Sequence, residues 1–198
     1  MRDIMHLGKV LVTGANRGLG VHIQQTFYSH GHEVLPHNGS SEYDFGEMRN
    51  VVALAAKARE EGVSILINNA AITCPGKPLG QYTPQEIQEM ISVNLTAPII
   101  LTNLLCENLT HIININSMVG LEIKKYRTVY SATKWGLRGF SQSFKNGKNG
   151  INVLDVYPTN IRTTPNKLNA MEVEDVTEKI YHAFLKKQDK LVLDGRIG

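Results

Sequence analysis

Tyr130 and Lys134 stand four residues apart in Tyr130-Ser131-Ala132-Thr133-Lys134. On a helix that spacing puts both side chains on one face, about one turn apart. A phenol has an ordinary pKa of about 10, too high for easy proton transfer near neutrality. A neighbouring cation favours the phenolate and lowers that barrier. Ser117 closes an apolar run upstream of the pair and can aim a hydroxyl into the same cleft. A strand-end serine is otherwise a turn former, and Tyr–Lys pairs at this spacing also occur on solvated helices. The elements around these residues therefore decide their role.

Two further stretches carry chemistry. Thr13-Gly14-Ala15-Asn16-Arg17-Gly18-Leu19-Gly20 follows the apolar run 9–12. Glycines let a backbone turn tightly and approach a pyrophosphate, and the following helix offers free N–H groups and the positive end of its dipole. The spacing differs from G-x-G-x-x-G, and an ordinary tight turn is the alternative. Asn68-Asn69-Ala70-Ala71 ends another apolar run. In open α/β sheets ligands bind at the carboxyl ends of strands, at the point where strand order reverses. The two asparagines can bond a ligand there or hold neighbouring strands together.

The positioning elements follow from periodicity. Strands are predicted at 9–12, 33–36, 64–67, 111–116, 151–157 and 191–193, with a very short third strand at Tyr43-Asp44-Phe45. A helix starts in the glycine loop, with Leu19, Ile23 and Phe27 at helical spacing. Another spans 48–61, with a stripe of Val51, Val52, Ala55 and Ala58. Thr83-Pro84 reads as an N-cap and first helical residue, opening a helix to about Ser92. The stretch 93–108 is helical and apolar on more than one face. The Tyr130–Lys134 helix runs to about Lys145, and Val173, Val176, Ile180 and Phe184 mark the last. No helix fits between the second and third strands. Strands alternating with helices predict a doubly wound parallel α/β sheet of about seven strands. With 198 residues and no internal repeat or linker, the chain reads as one domain, 1–198.

Composition narrows the partners. The chain is 42% hydrophobic and 20% charged, as in soluble globular proteins. Net charge is +3, and neither Lys124, Lys125 and Arg127 nor Lys186 and Lys187 come with interleaved aromatics, so no nucleic-acid partner is expected. Cys74 and Cys106 lack metal-ligand spacing and read as free thiols of a reducing compartment. His30, His32, His37 and His111 show no metal pattern either, so no metal site is expected. No signal peptide and no apolar run of about 20 residues is seen, so a cytoplasmic protein without a membrane partner is expected.

Taken together, the glycine loop, Asn68-Asn69-Ala70-Ala71, Asn94, Ser117 and Tyr130-x-x-x-Lys134 resemble a classical member of the short-chain dehydrogenase/reductase family, in order and in spacing. The resemblance spans the chain from the first strand to Leu193-Asp194-Gly195. It implies a Rossmann-type fold and a nicotinamide cofactor. It also implies a tetrad: Tyr130 as general acid/base, Lys134 lowering the tyrosine pKa and binding the ribose, Ser117 on the substrate oxygen, and Asn94 anchoring a water. Cofactor contacts implied by position are Gly14, Asn16, Arg17, Gly18, Leu19, Gly20, His37, Asn38, Asp44, Asn68, Asn69, Ala70, Tyr130, Lys134, Pro158, Thr159, Ile161 and Thr163. The implied activity is reversible carbonyl–alcohol interconversion on a small or carrier-borne substrate. A homodimer or homotetramer paired through 93–108 and 128–145 is also implied.

Three departures from the family stand out. Thr159 replaces a glycine after Pro158, and threonine resists glycine-only backbone conformations. The helix between strands two and three is missing. The 164–171 stretch, which carries a lid in the family, is short. These leave a cofactor-binding regulator or scaffold as the alternative to an enzyme. Cofactor choice can be read from charge. The end of the second strand, Pro36-His37-Asn38, has no acid before Glu42 to hold the ribose hydroxyls of NAD(H), whereas Arg17, Ser40 and Ser41 suit a 2′-phosphate. NADP(H) is therefore expected over NAD(H).

Overall fold

The computed structural model describes residues 7–39, 43–73, 76–147, 150–163 and 170–196. Its strands are Lys9–Thr13 (β1), Val34–His37 (β2), Val63–Asn68 (β3), His111–Ile115 (β4), Asn152–Pro158 (β5), Ile161–Arg162 (β6), Met171–Glu172 (β7) and Lys190–Leu193 (β8). Its α-helices are Gly18–Ser29 (α1), Met48–Glu60 (α2), Pro84–Ile91 (α3), Ala97–Leu105 (α4), Thr128–Asn146 (α5) and Val173–Leu185 (α6). Six strands make one parallel sheet in the order β2-β1-β3-β4-β5-β8, and β6 pairs with β7 in a small second sheet. The central strands are apolar on both faces, as a parallel sheet covered by helices requires. Val10, Val12, Ile65, Ile67, Ile113 and Val156 face α1 and α6; Leu11, Leu66, Ile112 and Val153 face α2 and α4. Strand order reverses beside β1, which opens a crevice at the carboxyl ends of β1 and β3.

Six strands replace the expected seven in the main sheet. Tyr43-Asp44-Phe45 forms no strand. The Asp44 carboxylate accepts the Gly46 N–H at 2.8 Å, a local turn that competes with ladder pairing. The Tyr43 carbonyl is taken by the His37 ring at 2.7 Å, and Phe45 is buried with Leu35 and Leu54. β2 is therefore the sheet edge. Among the described residues the first helix after β2 is α2, which begins beyond Tyr43-Asp44-Phe45. The α2 stripe is Val51, Leu54, Ala55 and Ala58; Val52 faces out. Ser40, Ser41, Glu42, Cys74 and residues 164–169 of the short lid lie outside the described residues.

The predicted cap on α3 is a reciprocal box. Thr83 Oγ1 accepts the Glu86 N–H at 3.2 Å, and Glu86 Oε2 accepts the Thr83 N–H at 2.8 Å. Between α3 and α4, Ser92–Thr96 widens into a π-helical turn. Pro98 explains it: proline has no N–H to give the carbonyl four residues back, that of Asn94, and its ring crowds that carbonyl. Among the described residues no helix is long and apolar enough to cross a membrane. No metal-binding group of three or more His, Cys, Asp or Glu side chains occurs among them either.

Candidate active site

The carboxyl end of β4 and the first turns of α5 carry the proton-transfer residues. Tyr130 is 6% exposed and packs with Tyr82, Met90, Val119 and Val129. The Ser117 hydroxyl lies near enough to act on its phenol. Burial pushes the phenol pKa up, against the Ser117 hydroxyl and the nearby Arg127 guanidinium, which pull it down. Lys134 is 2% exposed. Its ammonium donates to the Ile115 carbonyl at 2.9 Å and lies 5.7 Å from the Tyr130 ring centroid. Burial alone lowers its pKa to about 8. Here burial dominates the tyrosine pKa.

Asn94 enters from the π-turn. Its side chain accepts the Ile72 N–H at 2.7 Å and donates to the Ile72 carbonyl at 2.9 Å and to Thr133 Oγ1 at 3.2 Å. It thus ties the segment after β3 to the helix of Tyr130 and Lys134. Ser117 Oγ accepts the Val119 N–H at 3.3 Å. One residue before it, Asn116 does work that no sequence motif signalled. Its Oδ1 accepts the Ser117 N–H at 2.9 Å, and its Nδ2 donates to the Lys134 carbonyl at 3.1 Å. A buried amide at a strand end beside a candidate serine was the available signal. Thr133, whose hydroxyl donates to the Tyr130 carbonyl at 2.8 Å, was likewise unread.

The glycine loop is held from below by the ends of β1 and β3. Thr13 Oγ1 accepts the N–H groups of Asn69 and Ala70 at 2.9 and 3.0 Å, and donates to the Ile67 carbonyl at 3.2 Å. Asn69 Nδ2 donates to the Thr13 and Gly14 carbonyls at 2.8 and 3.0 Å. A Cβ on Gly20 would collide with the Gly14 carbonyl oxygen, so only glycine lets α1 start this close to the loop. Asn68 points into the sheet, donating to Asn114 Oδ1 at 2.9 Å. Both asparagines hold strands and loop together, the second of the roles their position allowed.

His37 does the same from the β2 side. Its Nδ1 accepts the Gly14 N–H at 3.4 Å, its Nε2 donates to the Tyr43 carbonyl, and its ring stacks on Phe45 at 4.3 Å. The side chain expected at the ribose is spent on bracing the loop. Asn38 is exposed. Asp44 sits on the rim of a cavity of about 600 Å³ bounded also by Ile72, Val93 and α3.

The residues present fit a dinucleotide. Gly18 takes φ +56°, and a Cβ there would meet nothing nearer than the Thr163 methyl group at 3.7 Å, across an open cradle. The N-cap of α1, Arg17, makes no side-chain capping bond, and the first turn has no acidic residue. Free N–H groups and the helix dipole thus face that cradle. Asn16, Arg17 and Leu19 belong to the loop side, and Thr163 is the residue facing Gly18 from across the cradle. Positive φ occurs among described non-glycine residues only at Tyr126 and Lys187, so Thr159 is not forced into a glycine conformation.

Residues 40–174 match the family model described as short chain dehydrogenase. An uncharacterised oxidoreductase of Staphylococcus aureus (strain N315) is 26% identical over 188 residues, covering 88% of this chain and 79% of the relative. A short-chain dehydrogenase from Sphingobium yanoikuyae, solved in complex with NADPH, superposes with TM-score 0.82 at 23% identity, over 94% of this chain and 87% of that one. A 4-hydroxyisoleucine dehydrogenase complexed with NADH gives TM-score 0.81 at 24% identity, over 95% and 97%. At those identities the two structures establish a shared fold.

Proposed function

We propose that the chain, which belongs to the short-chain dehydrogenase family, is an NADPH-preferring oxidoreductase interconverting a carbonyl and an alcohol, with Tyr130 as the general acid/base. One observation carries this reading: the Ser117 hydroxyl acts on the Tyr130 phenol, and the ammonium of the buried Lys134 lies 5.7 Å from the Tyr130 ring centroid. When bound, the nicotinamide supplies or accepts the hydride. As charge builds on the substrate oxygen, Ser117 donates a hydrogen bond to it and Tyr130 hands over its proton. Lys134, anchored on the Ile115 carbonyl, stabilises the phenolate left behind. The Asn94 side chain is committed to Ile72 and Thr133, so a water held by Asn94 rests on its backbone carbonyl, which Pro98 has no N–H to engage. Gly14, Gly18, Gly20 and Lys134 would hold the cofactor from one side, and Pro158, Ile161 and Thr163 from the other.

The NADPH preference rests on Arg17, exposed at the start of α1, and on the buried, acid-free end of β2. The test is oxidation of NADPH and NADH with a panel of ketones and aldehydes. Wild type should turn over at least one carbonyl, with kcat/KM favouring NADPH. Arg17→Ala should lower kcat/KM for NADPH roughly ten- to a hundredfold, the scale of a lost charge-assisted bond, and leave NADH unchanged. NADPH binding without turnover of any carbonyl would point instead to the regulator or scaffold reading.

Oligomerisation through α4 and α5 belongs to the same reading. Trp135 is 45% exposed, a large apolar side chain on α5, one of the helices that would pair. Light scattering should give a dimer or tetramer, and Trp135→Glu should shift it toward monomer; a wild-type monomer at tens of micromolar would refute the pairing.

A further inference from the structure

The turn after β8 makes an unusual set of bonds. The Gly195 N–H donates to Thr159 Oγ1 at 2.9 Å, and that hydroxyl donates to the Leu193 carbonyl at 3.3 Å. The Thr159 N–H also reaches the Leu193 carbonyl, at 2.9 Å. Thr159 thus docks the turn onto the wall that ends β5. A Cβ on Gly195 would lie 2.7 Å from Met171 Cγ, so the turn also sits hard against β7, where the chain returns from the short lid.

From this anchored turn Arg196 reaches across. Its Nε and NH2 donate to the two Asp194 oxygens at 2.8 and 2.7 Å. NH1 and NH2 donate to the two Glu122 oxygens at 3.0 and 2.8 Å. One planar guanidinium thereby grips two carboxylates, each through both oxygens, a fit that an ammonium cannot reproduce. The Arg196 bonds hold the Glu122 carboxyl below the usual range and the Asp194 carboxyl down at about 2.

Glu122 belongs to the stretch between Ser117 and Tyr130, the wall a substrate would meet. Its N–H bonds the Met118 carbonyl at 2.8 Å. The far end of that stretch is fixed as well: Lys77 donates its N–H to the Tyr126 carbonyl at 2.9 Å, with Tyr126 at φ +61°. Between these points Ile123 is fully solvent-facing. Arg138 also donates to the Gly120 carbonyl at 3.4 Å, and Arg196 is the side chain that ties the wall to the turn after β8.

We propose that Arg196 is a positioning residue, clasping Glu122 to the Thr159-docked turn and so fixing the 118–127 wall of the substrate site. The proposal rests on the reductase reading for its effect on substrate, though the clasp itself does not. Thr159, a departure from the family's glycine, becomes the turn's anchor. Isolated surface ion pairs contribute little, so the clasp's effect is local ordering more than global stability.

The test combines kinetics with hydrogen exchange on Arg196→Ala, Arg196→Lys, Glu122→Gln and the Arg196→Ala/Glu122→Gln pair. Arg196→Ala should raise KM for an accepted ketone roughly three- to tenfold with kcat and NADPH affinity within about twofold, and speed exchange at the Leu121 and Glu122 amides. Arg196→Lys should fall nearer Arg196→Ala than wild type. The double variant should match the single ones, because both break one interaction. Unchanged exchange in Arg196→Ala, or additive effects in the double variant, would overturn the clasp. Faster exchange with an unchanged KM would overturn its role at the substrate. A wild type inactive on every carbonyl would defeat the reductase reading, while exchange would still decide the clasp.

Discussion

Tyr130→Phe should lose roughly a hundred- to ten-thousandfold in kcat for carbonyl reduction, the range for removing a positioned proton donor, while NADPH affinity stays within about twofold. Phenylalanine keeps the ring that packs on Met90 and Val119 and deletes only the oxygen on which the Ser117 hydroxyl acts. The direction of the tyrosine pKa sharpens the expectation. Burial raises it, so the unliganded enzyme holds Tyr130 as the neutral acid throughout the neutral range. Reduction, which consumes that proton, should be flat with pH near neutrality. Oxidation, which needs the phenolate, should climb toward alkaline pH. If Tyr130→Phe kept a tenth or more of wild-type kcat, the proton would have to come from elsewhere.

Lys134→Met should be nearly inactive and yet melt at a higher temperature than wild type at pH 7 without cofactor. The Lys134 pKa is lowered to about 8 by burial, against a model-peptide value of about 10.4. Keeping the ammonium buried thus costs on the order of 3 kcal/mol at neutral pH. Methionine fills a similar volume without the charge, and the Ile115 carbonyl loses a donor worth about 1 kcal/mol or more. The net gain should be about 1 to 2 kcal/mol. The pH dependence has a definite sign. Between pH 8 and the unfolded pKa the unfolded chain binds more protons, so wild-type stability relative to Lys134→Met rises with pH across that window and is lost again as pH falls through 8. Melting curves of both proteins from pH 6 to 10 would show it. A variant less stable than wild type at pH 7, with a parallel pH profile, would mean the ammonium is not penalised.

What could be read from the sequence follows from how local each signal is. The strands were visible because parallel strands buried on both faces are continuous apolar runs, such as 64–67 and 111–115. Thr83-Pro84 was visible because a cap is read over four residues. Tyr130, Lys134 and Ser117 were readable as candidates because their spacing carries a geometric meaning. Other features depend on contacts far apart in the chain. Nothing near His37 announces that its ring will brace Gly14 while Tyr43 folds over it. The π-turn follows from Pro98, but only once Asn94 is seen bonded to Ile72. Asn116 looks like any strand residue until the Lys134 carbonyl is beside it. Val52 joined the predicted stripe on composition, and the choice of Leu54 in its place is made by the sheet beneath.

The loss of a third strand changes the outer margin of the sheet. With β2 outermost, its outward N–H and C=O groups would offer a template for another chain to zip onto. The Glu33 and His37 carbonyls bond inward, to Val10 and Ala15, so the intervening Pro36 directs its nitrogen outward, where it has no hydrogen to give. At four residues, with that gap in its row of donors, the margin is a poor seed for strand-to-strand accretion. Trimming a strand from this architecture was thus accompanied by a built-in guard against fibrous self-association, and any redesign that replaced Pro36 would remove it.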